Sequence, residues 1–161
     1  MKQVIFKKLD YVVKGEDGVD EIKRSEAILP TKTTENGTIL DLYSTRLTQE
    51  ADNSGKLVLT YHTDISVEIP EGFVGIVTMK SEAYKRSLSL TNSVEVIPAG
   101  YKGEIAARFK VTTDAVPTIY AQGEAFAQLM IVPVESVDPV FLEDTPQSPG
   151  VEHMPENNEA I

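Results

Sequence analysis

A chain of 161 residues is long enough to bury a hydrophobic core as one domain without covalent staples. It contains no cysteine, which rules out disulfides and thiolate-bound metals and points to a reducing compartment. The formal net charge is −10; residues 1–110 carry all 15 lysines and arginines against 16 acids, and residues 111–161 carry nine acids and no cation, a distribution unsuited to nucleic-acid phosphates or an anionic membrane.

The opening stretch, MKQVIFKKLD, turns charged too early for a signal peptide. No uncharged apolar run reaches the roughly 18 residues that span a bilayer, so a soluble, non-secreted protein is expected. Val4–Leu9 reads as a first strand. Gly15–Arg24 is charged and glycine-containing, which predicts an exposed hairpin or loop. Leu57–Tyr61, Ile65–Ile69, Phe73–Met79, Ile105–Val111 and Phe126–Val134 read as further strands of alternating or mixed apolar character. Pro30, Gly37, Pro70, Gly72, Pro98, Gly100, Gly103, Pro117 and Gly123 punctuate them, and Ser81–Leu88 alone suits a helical turn or two. The pattern predicts an all-β fold, a sandwich, barrel or jelly roll with very little helix. One β domain is expected over residues 1–143. Asp144–Ile161, acidic and proline-containing, has the composition of a tail.

There is no P-loop, no G-x-G-x-x-G, no histidine-rich metal spacing and no G-x-S-x-G elbow. His62 and His153 are far apart and read as a strand-end and a tail residue. Five local patterns do follow one another in order. Leu29-Pro30-Thr31-Lys32-Thr33-Thr34-Glu35 leads into Leu40-Asp41-Leu42-Tyr43-Ser44. Ile69-Pro70-Glu71-Gly72-Phe73-Val74-Gly75 and Lys80-Ser81 come next. Thr91-Asn92-Ser93-Val94-Glu95-Val96-Ile97-Pro98-Ala99-Gly100-Tyr101-Lys102-Gly103-Glu104 and Gly123-Glu124-Ala125-Phe126-Ala127-Gln128-Leu129 complete the series. Their order and spacing over residues 28–134 resemble the dUTPase family. The likeness is to its phage-type branch, in which a Tyr-Lys pair such as Tyr84-Lys85 follows the second motif.

The resemblance implies a homotrimer of jelly-roll or β-barrel subunits with sites at the subunit boundaries, hydrolysing dUTP with Mg²⁺ to dUMP and pyrophosphate. It also implies a third-motif aspartate that orients water, phosphate-binding arginines, and a basic glycine-rich C-terminal arm. Asp41 stands at the first motif's aspartate, where a strand-end acid bonding a turn is the competing reading; Ile39 replaces a glycine two residues earlier. Lys80-Ser81 replaces Arg-Ser, which keeps the charge and loses the bidentate fork. Glu82 replaces a small residue beside the triphosphate position. A like-charge pair there at ~4 Å costs on the order of 4 kcal/mol at an effective dielectric of about 20.

Pro98 stands at the water-orienting aspartate and has neither a carboxylate nor a backbone N–H. Ala125 replaces an arginine, and the acidic C-terminus replaces the basic arm. Asn92, Tyr101 and Gln128 persist, Tyr101 at the position that packs on deoxyribose in the family. A related deaminase branch uses a glutamate where Arg108 stands, which argues against deamination.

Asp41, Lys80, Ser81, Asn92, Tyr101 and Gln128 are therefore expected to be vestigial nucleotide-site positions, with no catalytic residue and no metal. Mg²⁺ is expected only if the chain is a divergent dUTP diphosphatase that recruits Glu95 or Glu104 as base. The leading expectation is a phage-encoded, catalytically inactive homotrimer, a virion-decorating or protein-binding module in the host cytoplasm or on the virion. Its tail Asp144–Ile161 is expected to meet virion or host proteins, with no nucleic-acid or membrane partner.

Overall fold

The computed structural model describes residues 4–16, 18–114 and 116–141. The segment Asp144–Ile161, with the partner role expected of it, lies outside the described residues. The N-terminal region contributes β1 (Ile5–Lys8) and a hairpin of β2 (Tyr11–Lys14) and β3 (Asp20–Lys23). The exposed hairpin expected at Gly15–Arg24 is present and starts earlier, because Tyr11-Val12-Val13 supplies its first strand. Gly18, at φ 79, closes the turn.

Then follow β4 (Thr31–Lys32), β5 (Ile39–Tyr43), β6 (Arg46–Ala51), β7 (Leu57–His62), β8 (Ile65–Glu68) and β9 (Phe73–Met79). A 3-10 helix (Ser81–Arg86) leads into β10 (Leu88–Leu90), β11 (Glu95–Pro98), β12 (Ala106–Val111) and β13 (Ala125–Pro133). The all-β expectation with very little helix is met.

Two antiparallel sheets carry the fold. One has the order β11-β9-β13-β5-β4 and the other β10-β12-β7-β6, while β1 pairs with β8 apart from both. Asp52 builds the turn between β6 and β7, its Oδ1 accepting from the amides of Ser54 (2.8 Å) and Lys56 (2.9 Å). Strand β6 has few large apolar residues and sits at a sheet edge, which is why its sequence, Arg-Leu-Thr-Gln-Glu-Ala, carries little strand signal.

Inward-facing residues of both sheets form one core, including Leu42, Val77 and Leu129 from the first and Leu59, Leu88 and Leu90 from the second. An aromatic cluster ties the sheets together. Tyr61 of β7 stacks on Phe126 of β13 with centroids 5.2 Å apart and meets Phe109 and Tyr120 edge-on, each at 5.5 Å. Such pairs add ~0.5–1.5 kcal/mol each beyond area burial. At Gly75, in the middle of β9, a Cβ would lie 3.2 Å from Ile97 Cβ and 3.3 Å from Leu129 Cδ1, so a larger residue there would require those side chains to give by a few tenths of an ångström. Among the described residues no helix is long and apolar enough to cross a membrane.

Candidate functional site

The motif residues separate into two places. In the first, Gln128 of β13 is register-paired with Asp41 of β5 on one side and Thr78 of β9 on the other. The three therefore stand in a row across the sheet. Lys80 lies two residues beyond Thr78, where the chain is still extended (φ −68, ψ 149) before the 3-10 helix, so its side chain returns to the same face. Lys80 Nζ donates to Asp41 Oδ1 at 3.1 Å and Gln128 Nε2 to the same oxygen at 3.2 Å. Asp41 is mid-strand and not the strand-end acid of the competing reading.

Ser81 turns its hydroxyl to Glu82 Oε2 (3.2 Å). The Glu82 carboxyl is held below the usual range, first by its own backbone N–H and then by Ser81, Lys80 and Arg86, and so stays ionised beside Lys80. Arg86, which the sequence analysis did not single out, pairs with Glu124 of the fourth motif. It also donates to the Ile119 carbonyl at 3.0 Å, and its guanidinium lies 4.1 Å from the centroid of the Tyr120 ring. Lys80 and Arg86 are thus each engaged by one of the protein's own carboxylates, while the Lys85 ammonium lies over the Tyr84 ring, 5.9 Å from its centroid.

The second place is a cleft of about 330 Å³ at the third motif, lined by His62, Glu95, Pro98, Tyr101, Glu104 and Arg108 among others. Pro98 ends β11 opposite Val74, and the Tyr101 amide donates to its carbonyl at 3.2 Å. The Tyr101 ring folds over Gly103, where a Cβ would lie 2.3 Å from the phenol oxygen; the hydroxyl donates to the Glu104 carbonyl at 3.2 Å. Asn92 donates its side-chain amide to Glu95.

Glu104 is the most heavily engaged acid of the cleft. Its Oε2 faces His62 Nδ1 (3.0 Å) and Arg46 Nη2 (3.2 Å), and its Oε1 accepts the Asp64 amide (2.9 Å). Burial pushes this carboxyl up. The hydrogen bonds from His62 and Asp64, with the charges of His62 and Arg46, outweigh burial and hold it below the ordinary range. His62 is a strand-end residue, as expected, but one inside a charge network. Arg46 and Asp64 of that network carry no local sequence signal, since ion pairs between distant strands leave none.

Asp41, Lys80 and Gln128 are brought together, Ser81 adjoins Lys80 in the chain but turns to Glu82, and Asn92 and Tyr101 belong to the third-motif end. Pro98 is opposite Val74 and Gln128 opposite Thr78. The two places are therefore four residues apart along β9, about 13 Å at strand rise.

The dUTPase family model matches residues 25–153. The deoxyuridine 5'-triphosphate nucleotidohydrolase of Mycolicibacterium vanbaalenii strain PYR-1 is 33% identical over 131 residues, covering 76% of this chain and 83% of that protein. The protein of the same name from Mycobacterium tuberculosis H37Rv is 34% identical over 111 residues, covering 68% and 70%. Among solved structures, the dUTPase of Staphylococcus bacteriophage 80alpha with dUPNHPP superposes with a TM-score of 0.64 at 20% identity, over 91% of each chain. A mutant dUTPase from phage phi11 of S. aureus, described with a structural Mg(II) ion, gives a TM-score of 0.64 at 20% identity over 90% of this chain and 99% of that one.

The two sheets and the ordered motifs define a protein of dUTPase fold. The chain belongs to the dUTPase family.

Among the described residues of one chain, the family's Mg²⁺ finds no matching donor set. Among the described residues no three His, Asp or Glu side chains converge as metal ligands, and Asp41 is engaged by Lys80 and Gln128.

Proposed function

We propose that this chain is a noncatalytic member of the dUTPase family, of phage origin, that assembles as a homotrimer and works as a structural or protein-binding module. The observation that carries the reading is Pro98 at the third-motif position, with no free carboxylate beside it. A general base contributes typically ~10²–10⁴-fold, and proline supplies none. The nearby acids are poor substitutes, because both Glu104 oxygens are taken by donors that lower its basicity and Glu95 is bonded by Asn92.

The phosphate side is equally altered. Lys80 is neutralised by Asp41, Arg86 by Glu124, and Ala125 carries no charge. The distance along β9 between the two groups of motif residues supports assembly, since one copy does not juxtapose them. The reading includes residues 1–143 as the β domain and Asp144–Ile161 as the contact with a virion or host protein. The 80alpha structures are described in terms of phage dUTPases that control transfer of virulence genes by a G protein-like mechanism, a role for this fold that favours partner binding.

The names of the mycobacterial relatives favour a second reading, a divergent Mg²⁺-dependent dUTP diphosphatase giving dUMP and pyrophosphate. It requires Glu95 or Glu104 to leave its present partners and act as base. Purified protein incubated with dUTP and Mg²⁺ separates the two. Pyrophosphate release near the ordinary enzyme rate of about 1 s⁻¹ would establish the enzyme, and release at least ~10²-fold slower supports the noncatalytic module. Mass in solution tests the trimer.

A further inference from the structure

The N-terminal hairpin lies before the span matched by the family model, and its anchorage converges on the main-chain carbonyl of one residue, Asp64. The Leu9 amide donates to the Asp64 carbonyl at 2.8 Å. The Ser25 amide donates to Asp10 Oδ1 at 3.1 Å, and the Ser25 hydroxyl to the Asp64 carbonyl at 3.4 Å. Both feet of the hairpin are thereby fixed on the turn at Asp64. That aspartate is 2% exposed and adopts a left-handed φ of 50, a conformation an L-residue keeps only when its surroundings determine it.

The Asp64 carboxylate is met by Arg46. Its guanidinium sits 4.6 Å from the centroid of the Tyr11 ring on the hairpin. Its Nε donates to Asp64 Oδ1 at 2.9 Å and its Nη2 to Glu104 Oε2 at 3.2 Å. Glu104 in turn accepts the Asp64 amide through Oε1 and the Tyr101 hydroxyl through its main-chain carbonyl. A continuous path, Tyr11–Arg46–Glu104–Tyr101, therefore runs from the hairpin to the wall of the third-motif cleft. On the hairpin side a second, polar crevice is lined by Tyr11, Arg24, Glu26, Thr45 and Asp64. The charge network is the partition between the two crevices.

We propose that the hairpin controls the third-motif cleft, with Arg46 as the positioning residue that transmits the hairpin's pose to Glu104 and Tyr101. A guanidinium holding two carboxylates in a planar fork is directional, so the ring beneath it sets the orientation in which both are satisfied. Displacing Tyr11 lets Arg46 rotate, releases Glu104 from one of its donors and loosens the Asp64 amide and the Tyr101 turn together. Engagement of the hairpin by another molecule thus acts on the cleft without touching it. The functional consequence rests on the noncatalytic reading, with the cleft added to Asp144–Ile161 as a contact of the module; the coupling itself exists with or without a ligand.

Residue-resolved amide hydrogen exchange on the full chain tests the coupling. In Tyr11→Leu, exchange at the amides of Asp64 and Ile105 is expected to rise by about tenfold, the scale of a lost cation–π contact, while amides of β9 and β13 keep their rates. Tyr11→Phe, which retains a ring, is expected to match the wild type. Acceleration confined to residues 9–24 would overturn the proposal, as would acceleration spread equally through β9 and β13, which marks a merely structural role. If Tyr11→Leu does not fold, Arg46→Lys carries the same test, because it keeps the charge and loses the fork. Observed dUTP turnover would sink the noncatalytic reading and leave these exchange rates unaffected, so the two failures are distinguishable.

Discussion

Lys80 Nζ lies 3.1 Å from Asp41 Oδ1, with side chains 18% and 16% exposed, so the second motif's cation and the first motif's acid neutralise each other. Breaking this pair from one side leaves a charge in a mostly covered place. Lys80→Met is expected to destabilise the protein by about 1–2 kcal/mol, between the values for exposed and fully buried pairs. Combining it with Asp41→Asn should recover part of that loss, because the stranded charge is then gone. Urea titrations of the two single variants and the double variant measure the coupling, and strict additivity would deny it.

Pro98 and Ala125 make a gain-of-function prediction. Neither Pro98→Asp nor Ala125→Arg alone is expected to yield dUTP turnover, since each supplies only one of the groups the resemblance implies. The double variant is expected to release pyrophosphate at least ~10²-fold above the parent. Equal rates in parent and double variant would mean that the replaced positions do not limit the chemistry.

Glu104 gives the fold an acid-side pH dependence. A carboxyl held below its ordinary value of 4.5 in the folded state contributes stability that is present above that pH and is lost as pH falls through its folded value. The melting temperature should therefore drop below about pH 4.5. In Glu104→Gln the drop should be shallower and the neutral-pH melting temperature lower. A Glu104→Gln curve parallel to the wild type would remove Glu104 from the account.

Tyr120 governs the alkaline side together with Tyr61. Its hydroxyl is the buried side-chain polar atom without a hydrogen-bond partner among the described residues, and burial pushes its phenol up to about 12 from 10.0. Burial likewise raises Tyr61. The unfolded chain then loses its phenol protons first, so stability falls as pH rises from 10 towards 12. Tyr120→Phe removes an unsatisfied hydroxyl and should stabilise the protein by about 1 kcal/mol at neutral pH while reducing the alkaline decline. Thermal melts at pH 7 and pH 11 check both signs.

Phe126 spans the two sheets through its stack on Tyr61. Phe126→Ala is expected to cost ~3–5 kcal/mol, and Phe126→Leu much less. Denaturant midpoints distinguish them, and a small loss for alanine would mean that the sheets close without the aromatic bridge.

β9 and β12 are legible in the sequence because their alternation reflects one buried face, and β7 and β13 because they are mainly apolar runs covered by the core, both local properties of the chain. So is the proline at position 98, because a residue without a carboxylate needs no coordinates to be seen. Edge strand β6 is not legible, since its residues are polar and its partner β7 is chosen by the sheet.

Asp41 was recognisable as a motif residue, but its bond to Lys80 depends on the register that places Asp41, Gln128 and Thr78 in one row. The union of Arg46, His62, Asp64 and Glu104 joins residues up to 58 positions apart. Motif order in the sequence pointed to the dUTPase family, to which the chain belongs. Tertiary structure alone decided which remaining charges meet, because strand pairing sets those distances and no local preference encodes them.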